Sequence, residues 1–181
     1  MKKRGVRNLC VAGILAIAVS GCGGASPERI AELSPDVPSA VALFADVCLA
    51  NLPSLKNVEA TALRKGLTPK KATRGIAGYR VPEKALFIAT IDNTEGTACS
   101  VAFVGNYTTE SIGEAFLNAA KRRTGGNPKQ QLPTSFFEYA YQMRNGSILT
   151  YDRRQRGGAI RNVISISIPV SSQDVAKYIY N

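Results

Sequence analysis

Asn162 to Ile168 reads NVISISI, with Ile164, Ile166 and Ile168 on one side and Ser165 and Ser167 on the other. Alternation with a period of two fits a β-strand with one wet face and no helix. Two further segments are of the same kind. Ala85 to Ile91 (ALFIATI) is apolar on both faces, as a strand inside a sheet should be, and Thr97 to Val104 places Cys99, Val101 and Phe103 on one face. Ile76 to Val81 reads as a shorter strand. Runs of consecutive strands with short links favour an antiparallel sheet.

Residues 134–143 and 147–153 are strand-like and flank Arg144-Asn145-Gly146. Asn-Gly is the preferred pair of a two-residue hairpin turn. A two-residue turn sets Met143 opposite Ile148, Tyr141 opposite Thr150, Tyr139 opposite Asp152, and Glu138 against Arg153 on the other face.

Helical signals surround the strands. Ser39 can cap a helix from Ala40 to about Ala50, with Val41, Phe44 and Cys48 on one face. Pro53 suits the first position of a second helix and Gly66 its stop. Thr108 or Thr109 opens a third helix that ends near Arg123. Gly66–Arg74 and Thr124–Pro133 read as loops, and Ser171–Tyr180 as a short C-terminal helix. No internal repeat is visible. The expected fold is α+β: an antiparallel sheet of about five strands, with two N-terminal helices and one central helix packed on it.

The chain opens with Lys2, Lys3, Arg4 and Arg7 and then runs apolar from Leu9 to Val19. Eleven apolar residues fall short of the roughly 20 that a membrane-spanning helix needs, and the pattern is that of a secretory signal. The run closes on Val19-Ser20-Gly21-Cys22. Here the chain resembles bacterial lipoproteins, whose lipobox is an aliphatic residue, two small ones and a cysteine. The resemblance covers residues 1 to 24. It implies a diacylglycerol on the Cys22 thiol and cleavage before Cys22, so that membrane lipid becomes a partner through this anchor. Gly23, not Asp, follows the cysteine. In a Gram-negative host the resemblance then implies an outer-membrane lipoprotein facing the periplasm. The expected organisation is a signal over 1–21, a Gly-, Ser- and Pro-bearing tether over 22–38, and one domain over 39–181.

The full sequence carries 23 basic and 13 acidic residues. Removing residues 1–21 takes away four basic residues and no acid, so part of the surplus belongs to the signal. The remainder is concentrated late in the chain. Arg122, Arg123, Arg153, Arg154, Arg156 and Arg161 make a candidate surface for an anionic envelope component or an envelope protein. Nucleic acid is disfavoured by compartment and by the lack of aromatics interleaved with the charges.

Two cysteines, Cys48 and Cys99, remain after processing. In an oxidising compartment they suit one disulfide. The alternatives are two buried thiols or a redox pair, although there is no Cys-x-x-Cys spacing.

Chemistry is sparse. The chain has no histidine, which excludes Ser-His-Asp and Cys-His catalysis and imidazole-bound zinc. No phosphate-binding loop, nucleophile elbow or calcium loop occurs, and the acids are scattered singly. No catalytic residue, metal or cofactor is assigned. Phe136, Phe137, Tyr139, Tyr141 and Tyr151 either line a ligand groove or belong to the core. The expected function is that of a lipid-anchored, non-enzymatic binding or accessory module. An inhibitor of an envelope-degrading enzyme, acting through a protruding loop at Thr124–Pro133, and a hydrolase of cell-wall or lipid substrates using carboxylates or a Ser/Lys pair, are the other readings.

Overall fold

The computed structural model describes residues 35–73, 76–94, 96–156 and 158–171. The signal, nearly all of the tether and the C-terminal helix expected over Ser171–Tyr180 lie outside the described residues, apart from Ser171.

The first helical stretch starts earlier than Ser39. The Asp36 carboxylate accepts the Ser39 backbone N–H at 2.6 Å and caps α1, Val37–Leu43. An aspartate one turn ahead satisfies the free amides as well as a serine would, and this bond holds the Asp36 carboxyl below its usual range. A π-helical turn, Phe44–Cys48, and a 3-10 turn, Leu49–Asn51, continue α1. Pro35, counted with the tether from sequence, is buried, and the Tyr107 hydroxyl donates to its carbonyl. The second helix, α2, is Val58–Arg64, shorter than expected, because residues 52–57 are spent on turns. Gly66 ends it at φ +77°, and the Leu67 N–H reaches the Ala62 carbonyl. The long helix α3, Thr109–Thr124, is capped by Thr108 and terminated by Gly125, close to expectation.

The sheet holds eight strands where about five were expected. They are β1 Thr68–Thr73, β2 Ile76–Arg80, β3 Leu86–Asn93, β4 Gly96–Val104, β5 Gln130–Leu132, β6 Tyr139–Gln142, β7 Ile148–Arg156 and β8 Ala159–Pro169. Their spatial order is β1-β2-β3-β4-β8-β7-β6-β5, antiparallel throughout. The strands that sequence reasoning read as loops, β1 (TPKKAT) and β5 (QQL), are the two edges. An edge strand has one neighbour, tolerates proline and charge, and need not carry an apolar pattern.

The chain thus runs twice through one plan, a helical stretch followed by four antiparallel strands. The two halves meet at β4 and β8. At the centre of that pair the Ser100 and Ser165 hydroxyls are 2.7 Å apart. The repeat lies in topology and leaves no trace of residue identity along the chain.

The hairpin over 139–156 differs in register. Its loop is Arg144-Asn145-Gly146, three residues long. The Gly146 N–H bonds the Met143 carbonyl at 3.0 Å and the Met143 N–H bonds the Ser147 carbonyl at 2.8 Å. Gly146 takes φ +87°, as this turn requires. The pairs are therefore Tyr139–Tyr151, Tyr141–Leu149 and Gln142–Ile148, and Glu138 does not face Arg153. Burial decides the register: a slip of one residue would set Asp152 opposite the buried Tyr139, in the core.

All three helices cover one face of the sheet. Phe44, Val47 and Cys48 from the first stretch, and Ile112 and Phe116 from α3, pack on Ile88, Val101, Phe103, Tyr151, Ile164 and Ile166. Phe116 sits between Phe44, edge-on at 5.4 Å, and Phe103, stacked at 6.0 Å. On the opposite face Leu132, Ala140 and Ile148 form a second, smaller buried cluster across β5, β6 and β7.

Candidate functional site

Cys48 and Cys99 form a disulfide with their Cα atoms 5.5 Å apart. Cys48 lies in the π-helical turn and Cys99 in β4, both fully buried. The bond joins the helical layer to the middle of the sheet. It is inaccessible in the folded protein, which fits a structural role and not a redox one.

The disulfide also sorts the two faces of β4. Cys99, Val101 and Phe103 point to the helices, so Ala98, Ser100, Ala102 and Val104 point away. Register carries this assignment across the sheet. On the far face one row runs Lys70, Gly78, Ala89, Ser100, Ser165, Thr150, Ala140, Leu132, one residue from each strand. Small side chains fill the middle of this row. Beside it run Phe87 and Ala102, then Val104 and Arg161.

Over β1–β4 no helix among the described residues covers this far face. A groove of about 400 Å³ crosses it, with Phe87, Ala89, Ala102 and Val104 as floor and Lys70 and Arg161 as its charged lining. That volume lies within the range of small-molecule sites, roughly 300–1,000 Å³. The Lys70 ammonium stands 4.7 Å from the centre of the Phe87 ring, within cation–π range. No acidic residue among those described lines the groove. The ion pairs among the described residues are Lys65–Asp46 and Arg154–Asp152, and neither involves Lys70 or Arg161. Ile76 is 42% exposed at the end of β2 and prolongs the apolar surface beside Ile91.

The structure divides the six arginines expected to form one basic surface. Arg161 lines the groove. Arg154 lies directly across from it on β7 and is paired with Asp152 at 2.7 Å. Arg153 projects to the helix side, opposite Asn162, and its Nε is buried without a hydrogen-bond partner among the described residues. Arg156 ends β7. Arg122 and Arg123 sit in the last turn of α3. Arg123 donates from Nε to the Leu49 carbonyl and from Nη2 to the Ala50 carbonyl, each at 3.0 Å, and so closes the end of the first helical stretch. Arg123→Ala is therefore expected to lower the unfolding free energy by about 1–3 kcal/mol, the worth of charged hydrogen bonds. Arg161→Ala should stay within about 0.5 kcal/mol, as for an exposed unpaired side chain. Urea midpoints of the two variants measured side by side check this.

A second recess lies between the start of α3 and β5–β6. Glu110, Glu114 and Glu138 come together around Tyr139 and Tyr141 in a space of about 340 Å³. Sequence reasoning had these acids scattered, and α3 and β6 bring them to one place. Tyr139 slides beneath Gly113, where a Cβ would come within 2.8 Å of its ring. Burial pushes the Tyr139 phenol far up, and pushes Tyr151 up to about 12. Both phenols stay neutral at physiological pH and supply no base. All three glutamates are exposed. Among the described residues no group of three His, Cys, Asp or Glu side chains could hold a metal ion. The recess gathers charge but has no paired acid and base. Of the aromatic cluster, Tyr139 and Tyr151 are core while Phe136 is 58% exposed. Thr134 Oγ1 accepts the N–H groups of Phe136 and Phe137 and turns this stretch out of the strand expected there. Thr124–Pro133, expected to be a free loop, is held to the sheet at its end by β5.

Lys70 and Phe87, central to the groove, were not singled out from sequence. Lys70 sits in TPKKAT, where proline and paired lysines just before a strand signal suit an edge strand. Phe87 sits in a strand apolar on both faces, and only the one-sided helical cover shows which face stays open. Compared with protein-family models, curated proteins and solved structures, the chain matches none.

Proposed function

We propose that this chain is an envelope lipoprotein, anchored through acylated Cys22, that works as a non-enzymatic binding module for an anionic envelope component. In a Gram-negative host it would stand on the periplasmic side of the outer membrane. The observation that carries the binding reading is the groove, in which Lys70 and Arg161 accompany an apolar floor with no acid among the described residues. Two cations without counter-ions among the described residues, beside apolar surface, favour an anion over a neutral or cationic partner. The Cys48–Cys99 bond supports an oxidising compartment outside the cytosol. Among the described residues no helix is long and apolar enough to cross a membrane. In this reading the anchor is Cys22. Two or three acyl chains anchor firmly where one chain binds only marginally.

Intact mass of the membrane-extracted protein tests the anchor. The expected species starts at Cys22 and carries acyl mass, and Cys22→Ser should lose the acyl mass and keep residues 1–21. An unacylated mass of the unaltered protein, or acyl mass retained by the Cys22→Ser variant, would overturn the lipoprotein assignment.

A further inference from the structure

The groove also specifies the shape of its ligand, on the reading that it binds an anion. We infer that its occupant is a free single-chain anionic amphiphile, with a phosphate or carboxylate head at Arg161 and an apolar tail laid along β3 and β4. Three observations meet here. First, the floor is apolar and made largely of small residues: Val104 and Ala102 lead from Arg161 to Phe87, and Ala89 lies beyond it on β3. Small side chains let a hydrocarbon chain lie close to the sheet, and each methylene removed from water contributes about 0.8 kcal/mol. An ionic ligand without a tail would leave this floor wet.

Second, the cations stand apart. Lys70 is on β1 and Arg161 on β8, with β2, β3 and β4 between them. Lys70 lies over the Phe87 ring, while Arg161 is in no ion pair with a described residue. The guanidinium is thus the group free to take a planar or tetrahedral oxyanion through two parallel N–H bonds. Third, the site is a half-open groove of about 400 Å³. That volume suits one small molecule.

The test uses the whole mature chain carrying Cys22→Ser, which needs no detergent to stay in solution. Calorimetric titration compares octyl phosphate, inorganic phosphate, octanol and octyltrimethylammonium, each as monomer. Octyl phosphate should bind at one site, at least tenfold tighter than inorganic phosphate or octanol, and octyltrimethylammonium should not bind. Arg161→Glu should weaken octyl phosphate by about tenfold or more, and Ala89→Trp, which fills the floor, should abolish its binding. Unfolding midpoints of both variants show whether each is folded. If one is not, Arg161→Gln and Ala89→Leu replace them.

Inorganic phosphate binding as tightly as octyl phosphate, and still lost in Arg161→Glu, would overturn the amphiphile while leaving the anionic partner standing. Octanol binding as tightly as octyl phosphate would overturn the role of Arg161. Retention on phosphatidylglycerol vesicles without any binding of monomeric octyl phosphate would assign the face to a bilayer instead. Failure of every anion and of the vesicles would overturn both the amphiphile and the anionic-partner reading.

Discussion

Replacing Cys48 and Cys99 together by Ala is expected to lower the unfolding free energy by about 4 kcal/mol and the melting temperature by on the order of 10–15 °C. The bond closes a loop of 51 residues, and the estimate follows from the freedom that an open loop of this length restores to the unfolded chain. The placement adds a second reason for a large effect. Cys48 ends the π-helical turn that carries Phe44 and Val47 into the core, and Cys99 lies in the central strand β4. Without the bond, only packing fixes the helical layer against the sheet at this point. A typical domain retains only about 5–15 kcal/mol in all, so the loss is a large share of it. Denaturant unfolding of the double variant and of the oxidised protein, followed by far-UV circular dichroism, checks the size. A difference under about 1 kcal/mol would show that the layers are held by packing alone. The variant should also keep its octyl phosphate binding under native conditions, because neither cysteine lines the groove.

The strands that carry the apolar pattern were legible from the sequence, and those that do not were missed for one physical reason. NVISISI and TACSVAFV lie within β8 and β4, and all but the first residue of ALFIATI within β3, where each strand has a neighbour on both sides and side chains must match a core. TPKKAT and QQL have one neighbour each, and solvent sets their composition. The turn at Asn145-Gly146 was also legible, but its length was not. Asn-Gly suits a two-residue loop and a three-residue loop alike, and the choice falls to Tyr139 and Tyr151, which both have to face α3. The disulfide could be proposed because Cys48 and Cys99 are the two cysteines outside the expected signal and lipidation site. The groove could not, since it depends on the helices covering one face and leaving Phe87, Ala89 and Val104 on the other. Charge counting found Arg161 but grouped it with Arg123, whose guanidinium is engaged with the backbone of the first helical stretch.

Phe116→Ala should cost about 3–5 kcal/mol, comparable to losing the disulfide, by a different route. Phe116 is fully buried on the inner side of α3, and its ring joins the second half of the fold to the first. It meets Phe44 from the first helical stretch and Phe103 at the end of β4, and Phe103 in turn lies 5.8 Å from Tyr107. Truncation leaves a cavity that these rings cannot fill without moving α1 or β4. The disulfide holds both Cys48 and Cys99 against such a movement. The cavity should therefore stay open, which places the effect at the upper end of the range. Phe116→Leu keeps most of the volume and should lose no more than about 1.5 kcal/mol. Combining Phe116→Ala with Cys48→Ala and Cys99→Ala then separates two cases. With the bond gone the layers can close on the cavity, so the triple variant should lose less than the sum of the two effects. Strict additivity of the measured unfolding free energies would show that the ring and the bond act independently.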